Sequence, residues 1–493
     1  MKRNSFLIAG ALIAGAVLPS ASAAEPVLSV HIDLKAGAFT RAAIERHLEV
    51  AANAGYNAVL WEVEDKVRWA TCPAAAHPEA FSKDEFRAIL SKAKSLGLRP
   101  IPLLQTCGHA AYVLQKPDYA ALRERPLGDD GRPMSDGDHE DADSYCASNP
   151  QTRDFLKRLI AEHLDLFGPD VREFHLGGDE AYTFGKCATC RTRDRGALYA
   201  EHLGDLAEVL RARGVRPGIW CDMVLSELGA KALDGLPKDF IVWQWDYAYG
   251  TTPRVARWTA RLPELTARGF DVVFAGASQC AGDDPFLVRQ GFHRRNLAAV
   301  ADYVRTNALH GLCVTSWSVR EGAKRVQYPL WEFAAKRLRQ PAADVQGDWA
   351  AAVRKWFGPI SPEALDAVSS WSSTMRALEC RGQRRHFDPR RPVKPVSGSK
   401  PEKVRAAIKD TREKVLSGRT ELAAATGPLG DTLRKAVELK LATLDVFEAR
   451  LNGAAEAAEA LYAAAERYYA EEETPSSART AAHMLEPRHK DVQ

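Results

Sequence analysis

Length, composition and charge exclude several kinds of protein. The chain has 493 residues, of which 46% are hydrophobic and 27% are charged, as in ordinary globular proteins. A length of this order suits one large domain and a smaller one. The formal net charge is +3, and the sequence contains no basic arm with interleaved aromatic residues, so we expect no nucleic-acid partner.

The N-terminus has the pattern of a secretory signal peptide. Lys2 and Arg3 precede an apolar run over residues 6–18, and a small-residue cleavage site ends at Ala23. The run is shorter than the roughly 20 residues that a membrane-spanning helix needs. We therefore predict a signal peptide over residues 1–23, no membrane attachment after its cleavage, and export to the periplasm or the medium.

Short apolar segments alternate with amphipathic helical segments from residue 27 to about residue 340. The predicted strands cover residues 27–33, 57–63, 99–105, the segment around Phe174, and residues 217–222, 240–245, 271–276 and 312–317. Thr40 can cap the first helix, and Ser82 with Glu85 forms a capping box before the second. Further helices are predicted over residues 152–167, 197–213 and 296–309.

Eight β/α repeats predict an α/β fold, a (β/α)8 TIM barrel over residues 24–340. The alternative is an open, doubly wound sheet, but no Gly-x-Gly-x-x-Gly motif follows the first strand. The third loop is long and acidic over residues 129–143, which we interpret as a lid or a loose excursion, with no EF-hand spacing for calcium.

The strand signal fades after residue 341. We predict an all-helical C-terminal region over residues 341–493, with a linker at 381–400 and two or three packed helices within 401–473.

The sequence has nine cysteines, an odd number that leaves at least one unpaired. Cys187 and Cys190 are the only close pair. They lack a second Cys or His pair at a recognisable spacing, so the spacing predicts neither a metal site nor any cofactor. Because export implies an oxidising compartment, we favour a disulfide between them over two free thiols.

Two adjacent acids follow the fourth strand. Residues 172–180 read REFHLGGDE, an apolar run, two glycines, and then Asp179 and Glu180. Chemistry in α/β barrels sits at the carboxyl ends of strands. Side chains of neighbouring extended residues diverge, so the two acids can take different roles. The alternative is a solvated acidic turn.

Acids and aromatic residues also stand at the other strand ends. The candidate binding residues are Asp33, Glu64, His109, Trp220, Asp222, Trp245, Asp246 and Trp317. Indole faces pack on a pyranose, and polar side chains bind its hydroxyls, so this pattern indicates a sugar site. The alternatives are tryptophans of the barrel core, or a sugar isomerase that holds a divalent cation with acids and histidines such as His31.

Five segments carry a resemblance to glycoside hydrolase family 20, the β-N-acetylhexosaminidases, in particular the short, hexosaminidase D-like type. They are HIDLK at 31–35, WEVED at 61–65, PLLQTCGH at 102–109, HLGGDE at 175–180 and TSWS at 315–318. The chain departs from the usual pattern at Ala36, which separates Lys35 from Gly37.

The resemblance implies exo-acting, substrate-assisted hydrolysis with retention of configuration, a known exception to the two-carboxylate scheme of glycosidases. Glu180 would be the acid and then the base, and Asp179 would bind the N–H of the substrate's acetamido group. We expect Asp179 and partial burial to keep Glu180 protonated near neutrality.

The resemblance also assigns the remaining candidates and the substrate. Trp220, Trp245 and Trp317 would wall the acetamido pocket, while Asp33, His109 and Asp246 would hold hydroxyls. The expected partner is a glycan that ends in β-linked GlcNAc or GalNAc. A barrel that binds this sugar without hydrolysing it is the alternative.

Overall fold

The computed structural model describes residues 25–35, 37–125, 144–253, 258–280, 282–317, 324–340, 344–371, 401–452 and 458–483. The predicted signal peptide, the acidic stretch of the third loop and the linker over 381–400 lie outside these ranges.

Eight parallel strands close into a barrel in sequence order, with β1 paired to both β2 and β8. The strands are β1 Val27–Asp33, β2 Ala58–Glu62, β3 Arg99–Leu103, β4 Glu173–His175, β5 Arg216–Trp220, β6 Ile241–Trp245, β7 Asp271–Gln279 and β8 Gly311–Ser316. The predicted TIM barrel is therefore confirmed, and the closed sheet excludes the doubly wound alternative.

Helices surround the barrel and continue beyond it. They are α1 Arg41–Ala54, α2 Lys83–Ser95, α3 Ala111–Leu114, α4 Pro150–Phe167, α5 Arg195–Arg211, α6 Gly229–Gly235, α7 Leu262–Ala267, α8 Gln290–Thr306, α9 Tyr328–Arg339, α10 Val345–Phe357, α11 Pro362–Val368, α12 Pro401–Arg419, α13 Gly430–Leu451, α14 Glu459–Tyr469 and α15 Pro475–His483. The predicted caps are present: Thr40 accepts from the N–H of Ala43, and Ser82 and Glu85 form a capping box before α2.

Side chains that alternate along the strands build two cores. One fills the barrel and includes Leu60, Ile101, Trp220 and Trp243. The other, larger core lies between the outer face of the strands and the helices. Since successive strand residues point to opposite faces, the residues at the carboxyl end of the inner face open into the mouth of the barrel.

The C-terminal helices pack against the barrel through polar contacts. Arg325 lies 3.1 Å from Glu472, and the N–H of Thr474 donates to the carbonyl of Ala38 in the loop after β1. The domain boundary at residue 340 stays a prediction. Within the described ranges no helix combines the length and the apolar character needed to cross a membrane.

Candidate active site

Two glycines turn the chain at the end of β4. Gly177 and Gly178 have positive φ angles of 69° and 93°, a region that L side chains rarely adopt. A Cβ on Gly178 would lie 2.3 Å from the hydroxyl of Tyr199, which donates to the Gly178 carbonyl at 2.8 Å. This turn presents Asp179 and Glu180 at the carboxyl end of the strands.

His109 joins the two acids. Its Nε2 lies 3.5 Å from Oδ2 of Asp179 and 3.5 Å from Oε2 of Glu180. The side chain of Asp179 is only 10% exposed, whereas that of Glu180 is 42% exposed. Glu180 and His109 have φ angles of 47° and 53°, and left-handed non-glycine residues of this kind cluster at functional sites.

The cluster shifts the proton affinities of its members. Burial alone would lower the pKa of His109, but the Asp179 and Glu180 carboxylates outweigh it and raise that pKa to about 9. Burial raises the pKa of Asp179. The hydrogen bond from His109 lowers the pKa of Glu180. The expectation that Glu180 stays protonated near neutrality is therefore wrong for the protein without substrate, because the hydrogen bond and the charge of His109 outweigh burial, which alone would raise the pKa of Glu180.

Asp222 ties three strand ends together. Its Oδ2 accepts a 2.9 Å hydrogen bond from the N–H of Glu180, and its Oδ1 accepts a 3.2 Å bond from the indole N–H of Trp245. Burial and the charge of Asp179 raise the pKa of Asp222. The carboxylate thus fixes the backbone of Glu180 relative to the aromatic ring of Trp245.

Aromatic rings form a continuous wall beside the acids. The rings of Trp220 and Trp317 lie 5.6 Å apart, and Trp245 stacks on Tyr247 at 5.3 Å. The indole N–H of Trp317 donates to the hydroxyl of Tyr247 at 2.6 Å. Trp220 is fully buried, whereas Trp245 and Trp317 are half-buried, so the latter two can contact a ligand.

Sequence reasoning missed a buried carboxylate at the end of β2. Glu62 accepts hydrogen bonds from Lys35 at 3.0 Å and Gln105 at 3.2 Å, and lies 3.1 Å from Nε2 of His31. Burial opposes its ionisation, but Lys35 and His31 outweigh burial and lower the pKa of Glu62. Side chains alternate between the two faces of a strand, so Glu62 shares the inward face of Leu60. This alternation could have identified Glu62 from the sequence.

The other candidates differ in how they relate to this cluster. Asp33 lies 3.7 Å from the ammonium of Lys35. Asp246 accepts from the Thr259 hydroxyl at 2.8 Å and the N–H of Ala248 at 3.1 Å, so it also closes its own loop. Glu64 is in a 3₁₀ turn after β2. The binding roles of Asp33, Glu64 and Asp246 stay predictions.

Two tyrosines are additional contacts that the sequence did not single out. Tyr247 is part of the aromatic wall, and the hydroxyl of Tyr182 donates to Oε1 of Glu180 at 3.4 Å. Tyr182 follows Glu180 by two residues, and Tyr247 follows Trp245 by two. In each case a tyrosine stands two residues after a predicted site residue, and this spacing is the sequence signal that could have identified Tyr182 and Tyr247.

Ligand atoms of His31, Asp33 and Glu62 lie within 4.8 Å of one another, a donor set that could hold a cation. The ammonium of Lys35, 3.0 Å from Glu62, already supplies a positive charge there. A bound metal would be repelled by this neighbour, so the donor set does not favour the isomerase interpretation.

The structure contradicts the favoured disulfide, since Cys187 and Cys190 are both free thiols. The sulfur of Cys146 lies 3.8 Å and 3.7 Å from theirs. This third thiol belongs to the loop before α4, and its distance along the chain hid it from a spacing argument.

Comparison with known proteins agrees with this geometry. Residues 41–308 match the model of the glycosyl hydrolase family 20 catalytic domain. The chain is 27% identical over 312 residues to hexosaminidase D of Homo sapiens, which covers 58% of this chain and 59% of the human protein. It is 26% identical over 309 residues to hexosaminidase D of Bos taurus, covering 58% of this chain and 83% of that protein.

A solved structure is similar in fold. The family 20 β-N-acetylhexosaminidase of Streptomyces coelicolor A3(2) aligns with a TM-score of 0.50 and 16% identity over 66% of this chain and 68% of that one. The family match covers more than half of the chain and includes Asp179 and Glu180. The chain therefore belongs to glycosyl hydrolase family 20.

Proposed function

We propose that the protein is an exo-acting β-N-acetylhexosaminidase that releases terminal β-linked GlcNAc or GalNAc by substrate-assisted, retaining hydrolysis. The observation that carries the proposal is the difference between two neighbouring acids. The side chain of Asp179 is buried at the mouth of the barrel, that of Glu180 is partly exposed to solvent, and His109 contacts both. One acid can therefore orient a buried arm of the substrate while the other exchanges protons at the opening.

The reaction would proceed in two steps. The carbonyl oxygen of the 2-acetamido group attacks the anomeric carbon, the glycosidic bond breaks, and Glu180 gives its proton to the leaving oxygen. Asp179 accepts a hydrogen bond from the acetamido N–H and stabilises the positive charge of the oxazolinium ion. Glu180 then removes a proton from the water that attacks the anomeric carbon. The bond between that carbon and the acetamido oxygen breaks, which restores the acetamido group and releases the sugar with its original configuration.

Glu180 must carry a proton for the first step. His109 lowers the pKa of Glu180 in the free protein, so activity should be highest on the acidic side of neutrality. A bound sugar would exclude water from Glu180 and thereby favour its protonated form. His109 then stabilises the carboxylate that remains after the proton has left.

The aromatic wall supplies a place for the acetamido methyl group. Trp245 and Trp317 would form the sides of that pocket, and the fully buried Trp220 would support Trp317 from behind. The hydroxyl of Tyr247, held against Trp317, would donate to the acetamido oxygen and orient it for attack. Asp33, Glu64, His109 and Asp246 remain the proposed partners of sugar hydroxyls.

The names of the relatives support this substrate class, and the chain spans only 59% of the length of the human protein. The basic, apolar and small-residue pattern over residues 1–23 supports export to the periplasm or the medium. An exported enzyme would meet glycans outside the cytoplasm.

A panel of aryl β-glycosides with and without the 2-acetamido group tests the proposal on the full chain. We expect chromophore release only from the N-acetylated sugars, and inhibition by a thiazoline mimic of the intermediate. Binding of N-acetylhexosamine without turnover would favour the non-catalytic alternative. Interconversion of free sugars without glycoside cleavage would favour an isomerase.

A further inference from the structure

We propose that Glu124, Cys146, Cys187 and Cys190 form a tetrahedral zinc site that fastens the loop after β4 to the loop after β3. The four side chains come from three stretches of chain, and one ligand atom from each lies within 4.8 Å of the others. This cluster is separate from the acids and the aromatic wall of the candidate active site.

The distances between the ligand atoms are those of a zinc tetrahedron. Zn–S bonds of about 2.3 Å at tetrahedral angles place two sulfurs about 3.8 Å apart, and a Zn–O bond of about 2.0 Å places oxygen about 3.5 Å from sulfur. The sulfur of Cys146 lies 3.8 Å from that of Cys187 and 3.7 Å from that of Cys190. The sulfur of Cys190 lies 3.5 Å from Oε2 of Glu124. Three edges of the tetrahedron are therefore already in place.

Neighbouring groups orient these ligands. The N–H of Cys190 donates to the sulfur of Cys187 at 3.4 Å, which stabilises a thiolate. The N–H of Cys187 donates to Oε1 of Glu124 at 2.6 Å, so the other carboxylate oxygen faces the sulfurs. The hydroxyl of Ser148 lies 3.1 Å from the sulfur of Cys190. Outer contacts of this kind fix the ligands of protein metal sites.

The donor set selects the metal and its role. Soft thiolates with one carboxylate suit Zn²⁺, and binding releases the thiol protons to solvent. Four protein ligands leave no position for a reacting water, so the site would be structural. Cys190 and Glu124 are buried, and Cys146 and Cys187 are half-buried, so the protein covers most of the cluster.

The position of the cluster indicates what a bound zinc ion would do. Cys187 and Cys190 follow Glu180 in the same loop. The hydroxyl of Thr183 in that loop lies 2.8 Å from the hydroxyl of Ser144, two residues before Cys146. Zinc would hold the loop that carries Glu180 against the chain before α4. This consequence for catalysis rests on the proposed function, whereas the metal content does not.

Metal analysis of the full chain, purified without chelators, tests the site. We expect about one zinc per chain, as for a closed four-ligand site. Exchange for Co²⁺ should give the intense visible bands of a tetrahedral cobalt–thiolate centre. Cys187→Ser should lose the metal, whereas Cys313→Ala, at a cysteine inside the barrel, should keep it. Glu180→Gln should also keep it, which separates this site from the hydrolase activity.

Glu124→Gln keeps the size and shape of the side chain, so it tests zinc binding even if Cys187→Ser does not fold. We expect it to weaken zinc affinity at least about 10-fold in competition with a chelating dye. Purified protein that contains no zinc and takes up neither Zn²⁺ nor Co²⁺ would overturn the proposal. So would unchanged zinc in Cys187→Ser, or a disulfide between two of the three cysteines in thiol-blocked peptides.

Discussion

Glu180 is the half-exposed member of a pair whose other member is buried, and this asymmetry supports the proton-transfer role that we propose for it. Glu180→Gln keeps the size of the side chain but removes the acid. We expect kcat on an aryl β-N-acetylglucosaminide to fall about 10²–10⁴-fold, the usual contribution of a general acid. The loss should be smaller with a dinitrophenyl leaving group, which needs little protonation. Steady-state kinetics with the two substrates measure both effects.

Glu227 offers a matched control for this change. It is an exposed glutamate whose charge acts on Tyr182, close to Glu180. Glu227→Gln should leave both rates within about twofold, since an exposed charge contributes little. An equal loss in the two variants, or none in Glu180→Gln, would contradict the assigned role.

His109 sets the proton affinity of Glu180. His109→Asn removes a charged hydrogen-bond partner of the carboxylate, and loss of a nearby positive charge raises a carboxyl pKa. Because kcat/KM falls as the acid ionises, the alkaline limb of its pH profile should move to higher pH, by about one unit. The measurement is kcat/KM of both proteins across the pH range in which they stay folded.

His310 provides the comparison, because its Nε2 lies 3.2 Å from Glu173 at the opposite end of the barrel. His310→Asn should leave the alkaline limb of kcat/KM in place. A limb that stays still in His109→Asn, or moves to lower pH, would show that His109 does not control the acid.

At the scale of single elements, the turn after β4 depends on Gly178. Gly178→Ala places a methyl group against the Tyr199 hydroxyl in addition to forcing a left-handed backbone. We expect the free energy of unfolding to fall by about 1–2 kcal/mol from the backbone and by about 1–3 kcal/mol more from the overpacking. Urea denaturation of the variant and the parent measures the sum.

Gly214 isolates the backbone part of this cost. It also has a positive φ, of 69°, but a Cβ there would meet nothing within 4 Å. Gly214→Ala should therefore lose only the smaller amount. If the two variants are equally destabilised, the contact between Gly178 and Tyr199 does not constrain the turn.

The same scale shows why the elements were predictable and where they were not. The buried strands are short apolar runs bounded by turn residues, so β1 begins and ends as predicted. Helix α8 begins at Gln290, six residues before the predicted start at Asn296, because Gln290 and His293 are polar residues on its buried face. Such residues hide the apolar periodicity on which the prediction depended.

Some site residues were also predictable from the sequence, and others were not. Asp179 and Glu180 are adjacent in sequence, so their pattern was readable. The contacts of Glu62 and Asp222 join different strands, and such contacts arise only when the barrel closes. The same is true of Cys146, which meets Cys187 across 41 residues of chain. Spacing within a segment could not reveal any of these groupings.

At the scale of the whole molecule, a fully buried ion pair connects α13 to the barrel. The ammonium of Lys440 lies 2.8 Å from Oδ2 of Asp284 and 2.9 Å from the carbonyl of Val368, and both charged side chains are fully buried. Burial raises the pKa of Asp284 and lowers that of Lys440. Each charge is therefore tolerated only because the other is present.

Lys440→Met should break this connection. It leaves the Asp284 carboxylate buried without its partner, so we expect the free energy of unfolding at neutral pH to fall by about 3–5 kcal/mol. Because Asp284 can escape the penalty by binding a proton, the deficit should shrink as pH is lowered. Chemical denaturation at several pH values measures it.

The double variant Lys440→Met with Asp284→Asn separates the charge from the packing. In the parent protein, Oδ1 of Asp284 accepts hydrogen bonds of 2.7 Å from the backbone N–H groups of Phe286 and Leu287. The amide oxygen of an asparagine can accept the same two hydrogen bonds. With no charge left to desolvate, much of the lost stability should return, and its pH dependence should disappear. A double variant as unstable as Lys440→Met at every pH would mean that shape, and not the buried pair, joins the C-terminal helices to the barrel.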